Sequence, residues 1–291
     1  IVLFVIYLGA VGYVALRYGY ENILHEFNVA WLVGHPFETL IYALFLAYKP
    51  LNLDVLPLYI VLMAFFPFVL WSLLKRPHLT VLASLALYIA ARQFGWNLPA
   101  YPQGAWFFNP FCWQLVFCGG AWFALGGGHK IWPFVSSRPF VYVSIGYLVF
   151  ALIMTLAARF NGLADMLPEW LYGAFNPNDK TNLAPYRILH LGVIVLLVAR
   201  FVPQDWIGLE RPVFAPIIKC GQESLRVFCV GLLLSFVGYF LIAAGFSSLL
   251  WQLAISAVGI AILCAIAYYG DWSKNADKIA KRPPAAALPV G

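Results

Sequence analysis

A chain of 291 residues that is 63% hydrophobic, 10% charged and carries a net charge of +6 lacks the hydrated surface of a soluble domain, which has about 25% charged residues. Lipid must cover most of it. A disulfide framework and a nucleic-acid role are also excluded: the five cysteines lie in or beside apolar runs with no C-x-x-C pair, and no basic face interleaved with aromatics lies outside those runs.

The first apolar run opens at Ile1 without a basic leader or a small-residue cleavage site, so it is not a signal peptide. The first methionine is Met63, and further chain is expected ahead of residue 1. A hydrocarbon core about 30 Å thick takes roughly 20 helical residues. Windows of about this length are 1–17, 55–74, 79–95, 108–126, 139–159, 185–202, 217–244 and 248–270. Their length, and the absence of ten-residue alternation, selects helices over a barrel. The expected fold is an all-α polytopic integral membrane helical bundle with about eight transmembrane helices in this chain. Pro36 to Tyr48 is amphipathic but too short to span, and reads as an interfacial or re-entrant helix. No repeat of fixed period is visible, so one multi-span domain covers 1–270, and a basic, Pro/Ala-rich cytoplasmic tail, solvated and disordered, covers 271–291.

If residue 1 enters from the cytoplasm, eleven lysines and arginines fall at cytoplasmic ends and six at opposite ends, with Arg226 inside a span. The excess predicts this orientation and a cytoplasmic C-terminus. Anionic lipid headgroups then account for the positive balance.

Ionisable and amide groups at membrane depth are expensive, so each is a candidate site. Four clusters stand out in chain order. Asn52 and Asp54 sit at the outer mouth of the second window, where Asp54 either caps the first helical turn ahead of Pro57 or faces a polar cavity and orients a histidine. Trp106, Asn109, Trp113 and Gln114 either form an interfacial aromatic belt or stack and hydrogen-bond a sugar. Lys180, Tyr186, Arg187 and His190 enter the sixth window, with Arg187 and His190 on one helix face. This group suits an anion or carboxylate, although a lone histidine in a span also serves helix–helix hydrogen bonding. Gln222, Ser224 and Arg226 lie at the inner mouth of the seventh window, where Arg226 either pairs with Glu223 at i, i+3 or meets a charged substrate. The Gly126-Gly127-Gly128-His129-Lys130 stretch lacks phosphate-loop spacing and reads as a connector. No histidine pair has metal-ligand spacing and no G-x-S-x-G elbow occurs, so no metal is expected. Asp54, Trp113, Arg187 and His190 are expected to share one chamber open to the cell exterior.

The segments Pro50 to Tyr59, Gly104 to Gln114, Asn182 to His190 and Cys220 to Cys229 together resemble the OpgC family, in order and spacing, over most of residues 1–270. The resemblance implies transfer of succinyl groups to osmoregulated periplasmic glucans, within a wider superfamily of multi-span acyltransferases that includes O-antigen acetylases. It implies about ten spans in the whole protein, a bacterial inner-membrane location, succinyl-CoA or another acyl-CoA as cytoplasmic donor, a glucan or oligosaccharide acceptor and no tightly bound cofactor. It also places a catalytic histidine on a first span, after an arginine, in a segment that would precede Ile1. On this reading Asp54 orients that base and His190 is a further site residue. Lys180 and Arg187 hold the succinyl carboxylate, Trp106 and Trp113 pack on sugar, and Gln222, Ser224 and Arg226 lie near the donor entrance. The competing readings are a transporter or flippase for glycans or acyl carriers, and a structural subunit of a glucan-synthesis assembly.

Overall fold

The computed structural model describes residues 2–18, 24–25, 27–51, 53–160, 162, 166–175, 178–203 and 206–280. They form two compact units, one of residues 8–203 and one of residues 1–7 with 204–291. In chain order the helices are α1 (Val2–Tyr18), α2 (Ala30–Gly34), α3 (Pro36–Leu44), α4 (Val55–Lys75), α5 (Pro77–Phe94), α6 (Pro110–Trp122), α7 (Gly128–Val135) and α8 (Arg138–Ala157), followed by α9 (Glu169–Phe175), α10 (Pro185–Phe201), α11 (Ala215–Gln222), α12 (Ser224–Ala243) and α13 (Leu249–Ala280). Among the described residues there are two isolated β-bridges and no strand. Six of these helices carry proline at their first or second position, where its fixed φ suits the first turn and its missing N–H is not needed.

Every apolar window contains helix. Four helical stretches are long and apolar enough to cross a membrane: Val55–Lys75, Arg138–Ala157, Ser224–Ala243 and Leu249–Lys274. At most 22% of any of these windows is buried, as expected of helices whose outer faces meet lipid. The helices in the windows at 1–17, 79–95, 108–126 and 185–202 have 17, 18, 13 and 17 residues. At 1.5 Å per residue they are roughly 20–27 Å long.

In the unit of residues 8–203, α4 turns into α5 across the single residue Arg76, and Ser72 Oγ and Thr80 Oγ1 tie the two helices at 2.7 Å. Helix α5 packs on α6 through a reciprocal polar pair. Ser84 Oγ donates to Gln114 Oε1 at 2.6 Å, and Gln114 Nε2 donates to the Ser84 carbonyl at 2.8 Å. Each such bond between membrane helices contributes on average about 0.6 kcal/mol. Tyr88, Ala91, Cys112 and Leu183 form a buried cluster beside them, with Trp113 and Ile188 packed against it. Helix α6 ends in a π-helical turn, Phe123–Gly127, in which Gly126 has φ +90°, a conformation that favours glycine because a Cβ would clash. Lys130 Nζ then lies 2.8 Å from His78 Nε2, so the start of α7 and the start of α5 share one end of the unit.

In the other unit, the window at 217–244 is not one helix. It breaks at Glu223, between α11 and α12. Glu223 is 7% exposed and is held by Lys274 and, at 3.8 Å, by Arg226. Lys219 pairs in the same way with Asp271. Lys274 and Asp271 belong to α13, which runs through Ala280, so the tail expected to be disordered is helical over 271–280; residues 281–291 lie outside the described residues. A Cβ on Gly270 would meet Arg226 Nη1 at 2.8 Å and Glu223 Oε2 at 3.0 Å. Glycine is what lets this charged knot sit against α13.

Candidate functional site

The chain outside the long helices of the 8–203 unit forms a polar collar. Its keystone is the loop 178–184 that leads into α10. Asp179 Oδ1 accepts from the Asn182 N–H at 3.0 Å, and its other oxygen lies 3.5 Å from Arg92 Nη1. Arg92 Nη1 also donates to the Asn182 carbonyl at 2.8 Å, and Tyr88 OH donates to the Leu183 carbonyl at 2.8 Å. Tyr88 and Arg92 sit one turn apart on α5, so one helix face grips the loop.

Asn109 completes the clamp. It is wholly buried and caps α6, its Oδ1 accepting from the Phe111 N–H at 3.0 Å, while Nδ2 donates to the Trp96 carbonyl at 2.6 Å and to Asn182 Oδ1 at 3.0 Å. Both amide protons are thus committed. Trp113 Nε1 donates to the Lys180 carbonyl at 3.2 Å, and Gln114 is taken up by Ser84. These three side chains build the collar rather than present free groups to a ligand. Trp106 is 3% exposed with Lys49 Nζ 3.6 Å from its ring centroid. Trp106 is packed in the interior and offers no open face for stacking on a sugar, whereas Trp113 is half-buried against Phe108 and the Tyr88 cluster.

Two separate cavities open beside this collar. The first, about 410 Å³, lies between α8, α9 and α10 and is lined among others by Tyr147, Asn178, Tyr186, Arg187 and His190. Tyr186 OH and Arg187 Nε both donate to Asn178 Oδ1, at 2.8 and 2.5 Å. Tyr147 OH donates to the Tyr186 carbonyl at 3.0 Å, and its ring centroid is 6.0 Å from that of His190. Among the described residues the terminal guanidinium nitrogens of Arg187 and both ring nitrogens of His190 have no hydrogen-bond partner. A guanidinium and an imidazole therefore line a single space.

The second cavity, about 380 Å³, is lined by Asn28, Trp31, Lys49, Asp54, Tyr101 and Gln103, with Phe107 at its margin. Asp54 occupies the N-cap position of α4 but makes no side-chain cap bond. Burial holds its carboxyl above the usual range, with Lys49 partly opposing this. Burial likewise lowers the Lys49 amine to about 8, with Asp54 opposing.

The single chamber expected for Asp54, Trp113, Arg187 and His190 is therefore two cavities that share no lining residue, with Trp113 in neither. The 178–184 loop is pinned to α5 and α6, and of its residues only Asn178 lines a cavity, the first. Lys180 is exposed and lines neither cavity. Asn52 lies outside the described residues. Gln222, Ser224 and Arg226 belong to the other unit; the first two are exposed and Arg226 is engaged by Glu223. Sequence reasoning overlooked Asn178, Asp179, Arg92 and Lys49. The spacing of Tyr88 and Arg92 on one face, and the run of polar residues from Asn178 to Asn182, are the signals that could have found the first three.

The fold and its polar collar define a multi-span helical membrane protein. The model of the family described as OpgC protein matches residues 1–275, and the chain belongs to the OpgC family. That family suggests a membrane acyltransferase-like role in glucan modification. Comparison with curated proteins and with solved structures finds no match.

Proposed function

We propose that the chain is an integral membrane O-acyltransferase that moves a succinyl group from succinyl-CoA to hydroxyls of periplasmic glucans. It acts in the bacterial inner membrane, crosses it about eight times over these residues, and has a cytoplasmic C-terminus. The observation that carries this reading is the cavity in which Arg187 and His190 stand side by side with uncommitted nitrogens.

In the reaction an acceptor hydroxyl attacks the thioester carbonyl, a C–O bond forms, the C–S bond breaks, and the hydroxyl proton passes by way of a base to the departing thiolate. Arg187 holds the free carboxylate of the succinyl group, a charge-assisted contact that guanidinium geometry suits. Asn178 fixes the guanidinium from behind through Nε. His190 is the titratable group beside it, placed to orient the reacting hydroxyl or take its proton.

Membranes from cells expressing the complete gene should transfer labelled succinate from succinyl-CoA to added glucan. Arg187→Gln and His190→Ala should each lower transfer at least about tenfold at equal protein abundance, which corresponds to about 1.4 kcal/mol of transition-state stabilisation. Label that stays in the thioester with wild-type protein would support a carrier or a structural subunit instead. Full activity in both variants would remove this cavity from the reaction.

A further inference from the structure

Helices α12 and α13 pack together within the unit that contains residues 204–291. They are the least covered of the spanning stretches, with 6% and 0% of their apolar windows buried. Glycine sets their spacing: a Cβ on Gly238 would stand 3.4 Å from Ile255, and one on Gly231 would stand 3.9 Å from Leu263. Beside this seam runs a groove of about 680 Å³, lined among others by Val227, Phe228, Ile242, Gly259 and Ile260. Between Val227 and Ile242 it follows α12 for about 22 Å, at 1.5 Å per residue. Ser256, also in its wall, donates to the Gln252 carbonyl of its own helix at 2.8 Å, so that hydroxyl asks nothing of an occupant. A Cβ at Gly259 would meet no atom within 4 Å, which leaves room at that point.

The groove has a charged end. Gly259 and Gly270 are separated by about three helical turns and so lie on one face of α13. At Gly270 that face meets Glu223 and Arg226. The pairing of Gly231 with Leu263 and of Gly238 with Ile255 puts this point about one turn beyond Val227. The charged knot sets Lys219, Arg226 and Lys274 against Glu223 and Asp271, which leaves one positive charge in excess. Arg226 holds Glu223 more loosely than Lys274 does, at 3.8 Å, and its side chain is half exposed.

We propose that the α12–α13 groove binds an anionic glycerophospholipid, with an acyl chain laid along Phe228, Gly259 and Ile260 and the phosphate on Arg226. The assignment holds whatever reaction the protein performs. Its length fits, because half of a hydrocarbon core about 30 Å thick is about 15 Å, and the groove accommodates a whole chain from one leaflet. Its charge fits, because a single negative head answers the surplus cation, whereas a zwitterionic head does not. A second copy of the protein fits less well. Copies in one membrane share an orientation, so their knots would stand at the same depth with like net charge.

The test is photolabelling. The protein, expressed from its complete gene and delipidated, is placed in phosphatidylcholine vesicles with a trace of phosphatidylglycerol that carries a diazirine on one acyl chain. After illumination, mass spectrometry should find adducts within 227–242 and 255–263. They should exceed those from phosphatidylcholine with the same chain by about fivefold, the effect of one basic residue on an anionic lipid. Arg226→Gln should bring the two probes within about twofold of each other. Gly259→Phe fills the groove and should reduce adducts from both probes at least about tenfold. The comparison of probes on the wild type needs no variant, so it stands even if a substitution prevents folding. Equal labelling by the two probes there overturns the proposal, and so do adducts that persist in folded Gly259→Phe. A wild-type dimer in native mass spectrometry, without adducts and dissociated by Gly259→Phe, would give the groove to a second copy and overturn it as well.

Discussion

Lys49 carries its amine into a space that water barely reaches, and pH should expose the consequence. Below about pH 8 the amine is protonated in the folded and unfolded chains alike, and the fold bears the whole penalty of the buried charge. From about 8 towards its ordinary value of 10.5 the folded chain has released the proton while the unfolded chain keeps it. The unfolded state then binds more protons, so stability rises with pH through this window. The upper bound on that rise is about 3 kcal/mol. Burial pushes the Tyr48 hydroxyl above its ordinary value of 10.0, and above that pH it acts in the opposite sense. Thermal unfolding in detergent between pH 7 and 10 should show the wild type gaining on Lys49→Met as pH rises. Equal slopes in the two proteins would mean that the amine is not buried. Nothing in the sequence around Lys49 distinguishes it from a lysine at a loop break; its burial depends on Trp106, which lies more than fifty positions later.

Asn109 shows how one side chain organises an element. It caps α6, reaches back to Trp96 and forward to Asn182, and is wholly buried. Asn109→Ala removes the cap, worth about 1 kcal/mol, and leaves the Trp96 carbonyl and Asn182 amide short of partners at about 1–3 kcal/mol. A loss of about 2–4 kcal/mol is expected in chemical or thermal unfolding, and a change under 1 kcal/mol would show that water replaces these bonds. The cap was not read from the sequence, although Asn-Pro before an apolar run is a helix-start signal. The tie to Asn182 could not be, because it depends on which helix ends meet. Asp54 is the converse case. Its place before Pro57 allowed either a cap or a cavity-facing carboxylate, and Asp54 makes no cap bond and lines the cavity. At the other extreme, the window at 217–244 looked continuous because hydropathy alone does not register one acid. Glu223 breaks it because its cationic partner, Lys274, sits on α13, 51 residues on.

For the whole molecule, composition and window length announced helices in a membrane; every window contains helix, and four helical stretches are long and apolar enough to cross. The alternation of ends is visible for α4, α5 and α6: Lys130 meets His78 at one end, and Asn109 meets Trp96 and Asn182 at the other. Which end faces the cytoplasm is a matter of charge bias, and it can be read directly. A C-terminal fluorescent-protein fusion should mature and fluoresce, and a C-terminal alkaline phosphatase fusion should stay inactive. An active phosphatase with a dark fluorescent fusion would reverse the orientation. The split between two cavities escaped prediction for a general reason. Residue types and spacing say which side chains share a helix face, but not which loops and helix ends line the same cavity.

The long reach of the collar bears on how the protein is made. Arg92 binds the carbonyl of Asn182, 90 residues further along the chain. At about 5–20 residues per second, translation delivers that partner roughly 5–20 s after the arginine has left the ribosome. During that interval the arginine waits at the membrane rim with its guanidinium unsatisfied by protein. A nascent chain cut short before Asn178 lacks Asp179 and Asn182 and never closes the clamp. Closure of the clamp therefore waits until synthesis has reached the segment just ahead of the sixth apolar window.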